Sequence, residues 1–200
     1  MKWEIIGNRL LDLLFPPKCP FCGRVVEHSG TVCETCTAHL PCTDEAGVLR
    51  MLPGEVPCAA PFWYEGCVRD GLLRLKFQRA ASAAEPIGAW MAQCAAEQFS
   101  GAFDCVTWVP VSRKRLRQRG YDQARLLAEA MCRIWQVSAE SLLEKTVENG
   151  VQSRQKTADD RWKNVQHVYR AKPSAQNRRI LLVDDICTTG ATLTACAQVL

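Results

Sequence analysis

Residues 178–196 read RRILLVDDICTTGATLTAC, and their middle holds the residues most suited to chemistry. An apolar run ends in two adjacent carboxylates, Asp184 and Asp185, and Thr188, Thr189, Gly190, Ala191 and Thr192 follow at once. The run predicts a buried strand, and the small hydroxyl-rich residues predict a tight turn into a helix. The first amides of a helix have no internal partners and carry the positive end of its dipole. Small residues let an anion approach that backbone, and threonine hydroxyls add donors, so the turn reads as a phosphate cradle. The carboxylates would repel a phosphate. They suit sugar hydroxyls, or a Mg2+ ion, beside it. A phosphate with a diol next to it describes a ribose 5-phosphate. A helix cap alone would need only one acid. The chain contains neither GxxxxGK[ST] nor GxGxxG, and a Mg2+ phosphotransfer site would leave the threonine turn without a purpose.

A second group of residues has the spacing of a metal site. KCPFCG (18–23) and VCETC (32–36) place Cys19, Cys22, Cys33 and Cys36 as two CxxC pairs ten residues apart. Two intervening residues let one turn direct both sulfurs at one ion, and four thiolates satisfy tetrahedral Zn2+ with no position left for water. The expected role is structural, with about 10–16 kcal/mol of apparent binding energy to fold a segment too short for its own core. A disulfide pair or a redox CxxC is the alternative, and Cys42, His28 and His39 are the nearby substitute ligands. His167 reads as an ordinary histidine.

The chain has 200 residues, of which 48% are hydrophobic, enough for one ordinary domain with a small appendage. Net charge is only +4, so the placement of charge matters more than its sum. Twelve cysteines would suit a secreted disulfide scaffold, but most lie singly in apolar sequence, as small buried hydrophobes do. Glu4, Arg9 and Asp12 interrupt the N-terminal apolar residues, unlike a signal peptide, and no apolar run approaches the ~20 residues of a membrane span. These features point to a reducing cytoplasm.

The elements that must position these residues alternate between strand and helix. Trp3, Ile6, Leu10, Leu13 and Leu14 approximate a short amphipathic helix. Residues 43–58, with Gly47, Pro53, Gly54 and Pro57, read as an irregular connection. A strand is expected at 60–66, helices at 68–79 and 86–99, a strand at 103–111, a basic loop at 112–120 and a helix at 121–135. A polar loop follows at 149–164, then a brief strand in HVYRA, a strand at 179–183 and a final helix. This order predicts an α/β fold with a parallel sheet, whose ligands bind at the carboxyl ends of the strands. Both unusual segments, 112–120 and 184–191, fall at such ends. The expected division is 1–45 for the N-terminal helix and zinc segment, 46–59 as linker and 60–200 as the main domain.

The basic segment follows VPV: Ser112, then Arg113, Lys114, Arg115, Arg117 and Arg119, with Tyr121 next. Trp162 sits among Arg154, Lys156, Arg161 and Lys163. Cations interleaved with aromatics suit single-stranded nucleic acid, through phosphate contacts and base stacking.

LLVDDICTTGAT resembles the phosphoribosyl-pyrophosphate (PRPP) motif of type I phosphoribosyltransferases. Together with CPFC…CETC, YEGCVRDGLLRLKF, VPVSRKRLRQRGYDQARLLAEAM and QSRQKTADDRWKN, in that order over nearly the whole chain, it resembles the ComF family of competence-related proteins, of the ComFC/GntX type. The resemblance implies a type I phosphoribosyltransferase-like domain after the zinc segment. Asp184 and Asp185 would hold the ribose hydroxyls of PRPP, and residues 188–192 its 5-phosphate. The 109–115 loop would meet pyrophosphate, with Mg2+, and 152–164 would form a flexible hood. Reaction would proceed by loss of pyrophosphate through a cationic ribosyl transition state, with an acceptor that nothing in the sequence specifies. The family also implies a link to competence, imported DNA and the proteins of DNA uptake. The alternative function is a non-catalytic single-stranded DNA-binding protein, and a pure scaffold is the third reading. Family members generally continue past the final helix to another strand, so the chain reads as C-terminally incomplete at Leu200. Asp122 stands where asparagine is also common, and Cys187 reads as a small filler in the turn.

Overall fold

The computed structural model describes residues 16–28, 32–44, 49–78, 80–146 and 168–200. The N-terminal amphipathic segment, His167 and the polar 149–164 stretch with Trp162 lie outside them. The described chain is mixed α/β. Its elements are α1 (Glu34–Thr37), β1 (Leu49–Leu52), β2 (Val56–Ala59), α2 (Gly66–Phe77), α3 (Ala84–Phe99), β3 (Cys105–Trp108), α4 (Arg113–Arg119), α5 (Gln123–Trp135), β4 (Leu143–Lys145), β5 (Tyr169–Ala171), β6 (Ile180–Val183) and α6 (Ala191–Ala197).

The centre is a parallel pair. β3 lies beside β6 with Cys105 opposite Ile180 and Trp108 opposite Val183. Parallel neighbours need a long crossover, and α4, α5, β4 and β5 all lie within it. Thr107 is fully buried on β3, yet its hydroxyl donates to the Glu140 carbonyl at 2.8 Å and accepts from the Leu142 amide at 3.2 Å. Burial of this hydroxyl is therefore compensated.

α5 lies on the parallel pair, and α3 packs against α5 through small residues. Ala84, Gly88, Ala92 and Ala95 form a stripe at helical spacing on α3, and all are buried. A Cβ on Gly88 would stand 2.5 Å from that of Ala130 on α5, so the close approach of the helices requires the glycine. Phe21 lies between the first two cysteines, yet it is wholly buried in the main core. It stacks on Trp90 of α3 at 5.7 Å and meets Phe62 edge-on at 6.0 Å.

Three expectations need correction. The 46–59 stretch contains an antiparallel hairpin, β1 with β2, turning at Pro53-Gly54-Glu55. Its Pro57 and Gly54, read as breakers, sit on a short two-stranded edge and in its turn, where neither disrupts a ladder. The strand expected at 60–66 ends before it, at Ala59, and Phe62 makes only an isolated bridge to Cys42. The basic 112–120 segment is a helix rather than a loop. Ser112 caps it by accepting from the Arg115 amide, and Gly120 closes it at φ 85°. Arginine and lysine are good helix formers, and a cap at each end outweighs the lack of apolar periodicity.

Phe21→Ala should cost about 3–5 kcal/mol in denaturant unfolding of the zinc-loaded protein, the range for emptying a buried aromatic site. A loss below 1 kcal/mol would mean that the knuckle does not share the main core.

Candidate functional site

The four cysteine sulfurs lie within 4.8 Å of one another, and among the described residues no other cluster of potential ligands is as dense. Bonds of ~2.3 Å to a tetrahedral zinc give sulfur–sulfur edges near ~3.8 Å, so the cluster fits the ion. Cys22 and Cys33 are 3.5 Å apart. One knuckle is the 19–24 turn, closed by Gly23 N–H to the Cys19 carbonyl. The other is the first turn of α1, which brings Cys33 and Cys36 to one side. Burial acts to raise the Cys19 thiol, but amides of Cys22, Cys33 and Phe21 outweigh it and hold the thiol down to about 6, while burial first and then the neighbouring cysteines push Cys36 up, and burial pushes Cys22 up. Cys42, His28 and His39 are not part of the cluster.

α2 carries this knuckle to the second site. Arg74 of α2 lies against Gly23 and donates to the Cys22 carbonyl. Two residues on, Lys76 reaches Asp185 at 2.9 Å. The pair is largely shielded, with 22% of the lysine side chain and 10% of the aspartate side chain exposed.

Asp184 and Asp185 follow β6 directly. Burial first, and then the charge of Asp185, push the Asp184 carboxyl well above the usual carboxylate range. Its Oδ1 accepts from the Asp185 amide at 2.8 Å. The turn beyond them is open, with Thr188, Thr189 and Thr192 exposed. Gly190 has φ 78°, and a Cβ there would meet Leu52 of β1 at 2.6 Å, so the turn is seated on the hairpin. Arg50 of β1 secures it, donating to the Thr188 carbonyl at 2.8 Å. Cys187 is held down to about 6 by a hydrogen bond with Cys58 and by Arg50, against its partial burial. Cys58 is pushed up in turn.

The segment after β3 lies alongside. The Val109 amide donates to Val183, which extends the strand pairing by one residue. Asp122 accepts from the Val111 amide at 3.0 Å and from the Arg125 amide at 3.3 Å, so it caps α5 and fixes the loop at once. Burial, and further off Asp185, raise its pKa. On α4 the five cations divide between two faces. Arg119 donates to Gln123 at 2.8 Å, stacks over Phe77 at 5.2 Å and feels the charge of Asp185. Arg115, one turn earlier, adds its field to Arg119, Lys145 and Tyr169. Arg113, Lys114 and Arg117 are exposed on the remainder of the helix. The hydroxyl of Ser112 is engaged as the cap.

Asp184 and Asp185, the 188–192 turn and the Arg115–Arg119 face of α4 thus converge on one end of the β3–β6 pair. Lys76, Arg50 and Asp122 were not among the residues expected there. Lys76 had a readable signal: it follows Leu72 by four residues, which puts a charge on the apolar face of α2. An apolar cavity of about 550 Å³ opens beside the carboxylates, walled by Leu181 of β6, Ile87 and Met91 of α3, and Cys58. Among the described residues no helix is long and apolar enough to cross a membrane.

The description of the double zinc ribbon domain matches residues 10–47. Over 91% of its length the chain is 27% identical to competence protein ComFC of Bacillus subtilis (strain 168), covering 70% of that protein. Over the same share it is 26% identical to DNA utilization protein YhgH of Escherichia coli (strain K12), covering 83% of it. Over 46% of the chain it is 33% identical to competence protein F of Haemophilus influenzae, covering 42% of that protein. No solved structure matches the chain.

Cys19→Ser should lose the bound zinc, read as metal per protein by emission spectrometry. Full retention would refute this ligand set. Asp184→Asn keeps the oxygen that accepts from Asp185 but removes the disfavoured charge. A carboxyl raised in the folded state destabilises increasingly as pH climbs past its unfolded value of about 4. Asp184→Asn should therefore melt about 2–4 °C above the parent at pH 8, the shift ~1 kcal/mol gives at this length, with the gap closing toward pH 4. A variant less stable than the parent at pH 8 would contradict the assignment of strain to Asp184.

Proposed function

We propose that this homologue of competence and DNA utilization proteins binds PRPP, as a type I phosphoribosyltransferase-like protein, at the carboxyl ends of β3 and β6. The observation that carries the reading is the juxtaposition of a carboxylate pair with a hydroxyl-rich turn and a cationic helix face, at one end of two paired parallel strands. Ligands of parallel sheets bind at that end.

In this reading Asp184 and Asp185 accept from the ribose hydroxyls, and the 188–192 turn receives the 5-phosphate. Arg115 and Arg119 face the pyrophosphate. Lys76 keeps Asp185 aimed until the sugar arrives. Mg2+ would come with the pyrophosphate and offset its charge. Bond breaking leaves positive charge on the ribose, which the adjacent carboxylates stabilise. The 152–164 segment, outside the described residues, would supply the hood. The chain then divides into a zinc segment, 1–45, a connection across 46–59 that includes the hairpin, and a phosphoribosyl unit, 60–200, working in the cytoplasm. The names of the homologues support a place in competence and DNA utilization, and this reading expects imported DNA as the context and DNA-uptake proteins as partners.

Calorimetric titration of PRPP with Mg2+ into zinc-loaded protein tests the reading. Binding should occur in the parent and vanish in Asp184→Asn/Asp185→Asn. No binding by folded, zinc-loaded parent would end it.

A second reading, single-stranded DNA binding, is favoured by the outward Arg113, Lys114 and Arg117 of α4. Phosphate contacts on single strands give a log–log salt slope of about −0.7 each. Arg113→Ala/Arg117→Ala should flatten the slope by about 1.4 units while leaving PRPP affinity intact. An unchanged slope would remove α4 from any DNA path.

A further inference from the structure

The two sulfurs beneath the threonine turn have no part in the reading above. Cys58 comes from β2, where it stands opposite Arg50 in the hairpin, and Cys187 from the turn after β6, and both pack into one apolar cluster. Both line the cavity that opens beside Asp184 and Asp185, which gives small solutes a route to them. Arg50 stands 3.5 Å from the Cys187 sulfur while donating to the adjacent Thr188 carbonyl. A guanidinium at this distance favours the thiolate, the reactive form of cysteine. Cys94, Cys105, Cys132 and Cys196 provide the contrast: they are buried, and burial raises each thiol. They fit inert packing. A cation-facing thiol with a second thiol in the same cluster and an access cavity is built for reversible oxidation.

We propose that Cys58 and Cys187 form a disulfide-forming modification site for hydroperoxides, with Cys187 attacked first and Cys58 resolving. The Cys187 thiolate attacks one peroxide oxygen, the O–O bond breaks, and the departing oxygen takes a proton and leaves as water or alcohol. Cys187 is oxidised by two electrons to the sulfenic acid as the peroxide is reduced. The Cys58 sulfur then attacks the sulfenic sulfur. The S–S bond forms, and hydroxide leaves as water with the proton from Cys58. Two thiols and one hydrogen peroxide give one disulfide and two waters. The bond ties β2 to the turn and takes the Cys187 sulfur away from Arg50, which holds Thr188. Given the PRPP reading, on which this consequence rests, the oxidised protein has a distorted phosphate turn.

The test treats reduced, zinc-loaded protein with equimolar hydrogen peroxide, followed by peptide mapping. A Cys58–Cys187 cross-link should form before any other cysteine is modified and should reverse with dithiothreitol. In Cys58→Ser, dimedone should trap sulfenic acid at Cys187. In Cys187→Ser, Cys58 should stay reduced. Oxidation of other cysteines while Cys187 stays reduced, or zinc release without the cross-link, overturns the proposal. PRPP affinity should fall at least about tenfold on oxidation. Equal affinity in both forms would overturn the consequence for the turn. A cross-link that forms in protein with no PRPP affinity in either state leaves the thiol site standing and removes the PRPP reading.

Discussion

The register of β3 against β6 is the constraint from which the site follows. Trp108 lies opposite Val183, and the Val109 amide continues the pairing. Parallel neighbours release their chains at the same end, so a carboxylate pair on one strand and a cationic segment on the other must meet there. The loop after β3 is not left to wander, because Asp122 holds the Val111 amide from the start of α5. The turn after β6 is likewise fixed by its seat on Leu52 and by Arg50. Both segments are thus held through their backbone, which fixes where their side chains stand.

Electrostatics runs against the site and is offset locally. Two adjacent carboxylates in a crowded setting repel one another, and Asp184 shows the cost in its raised pKa. Lys76 stabilises Asp185 from α2. The same helix contacts the zinc knuckle through Arg74, and its Gly71 admits the Phe21 backbone, which a Cβ would approach to 2.9 Å. The closed metal site and the carboxylate pair therefore both bear on the C-terminal half of one helix. Zinc supplies what a short segment cannot, a fixed surface for Phe21 to enter the core.

The sequence was most legible where chemistry demands fixed spacing. The spacing of two CxxC pairs pointed to one ion, and the sulfurs do converge, while the run into Asp184–Asp185 with its threonine turn announces a strand end. β3, α3 and α5 were readable because burial imposes their pattern. Less was readable where geometry is made by partners distant in sequence. The β1–β2 hairpin hid behind Pro53, Gly54 and Pro57, whose meaning depends on which strand edge is exposed. α4 lacks an apolar face, and only its caps, Ser112 and Gly120, betrayed it. Arg50 and Cys58 looked like residues of a connection, since nothing local says that the hairpin folds over the threonine turn. Lys76 was the missed signal that local pattern did contain.

Hydrogen–deuterium exchange of the zinc-loaded protein, with and without PRPP and Mg2+, tests most directly whether the β3–β6 register makes one site from two segments. Saturating ligand should slow exchange together in the loop and helix after β3, residues 109–119, and in the turn after β6, residues 184–192. Protection of only one segment, or of neither at saturation, would contradict the account.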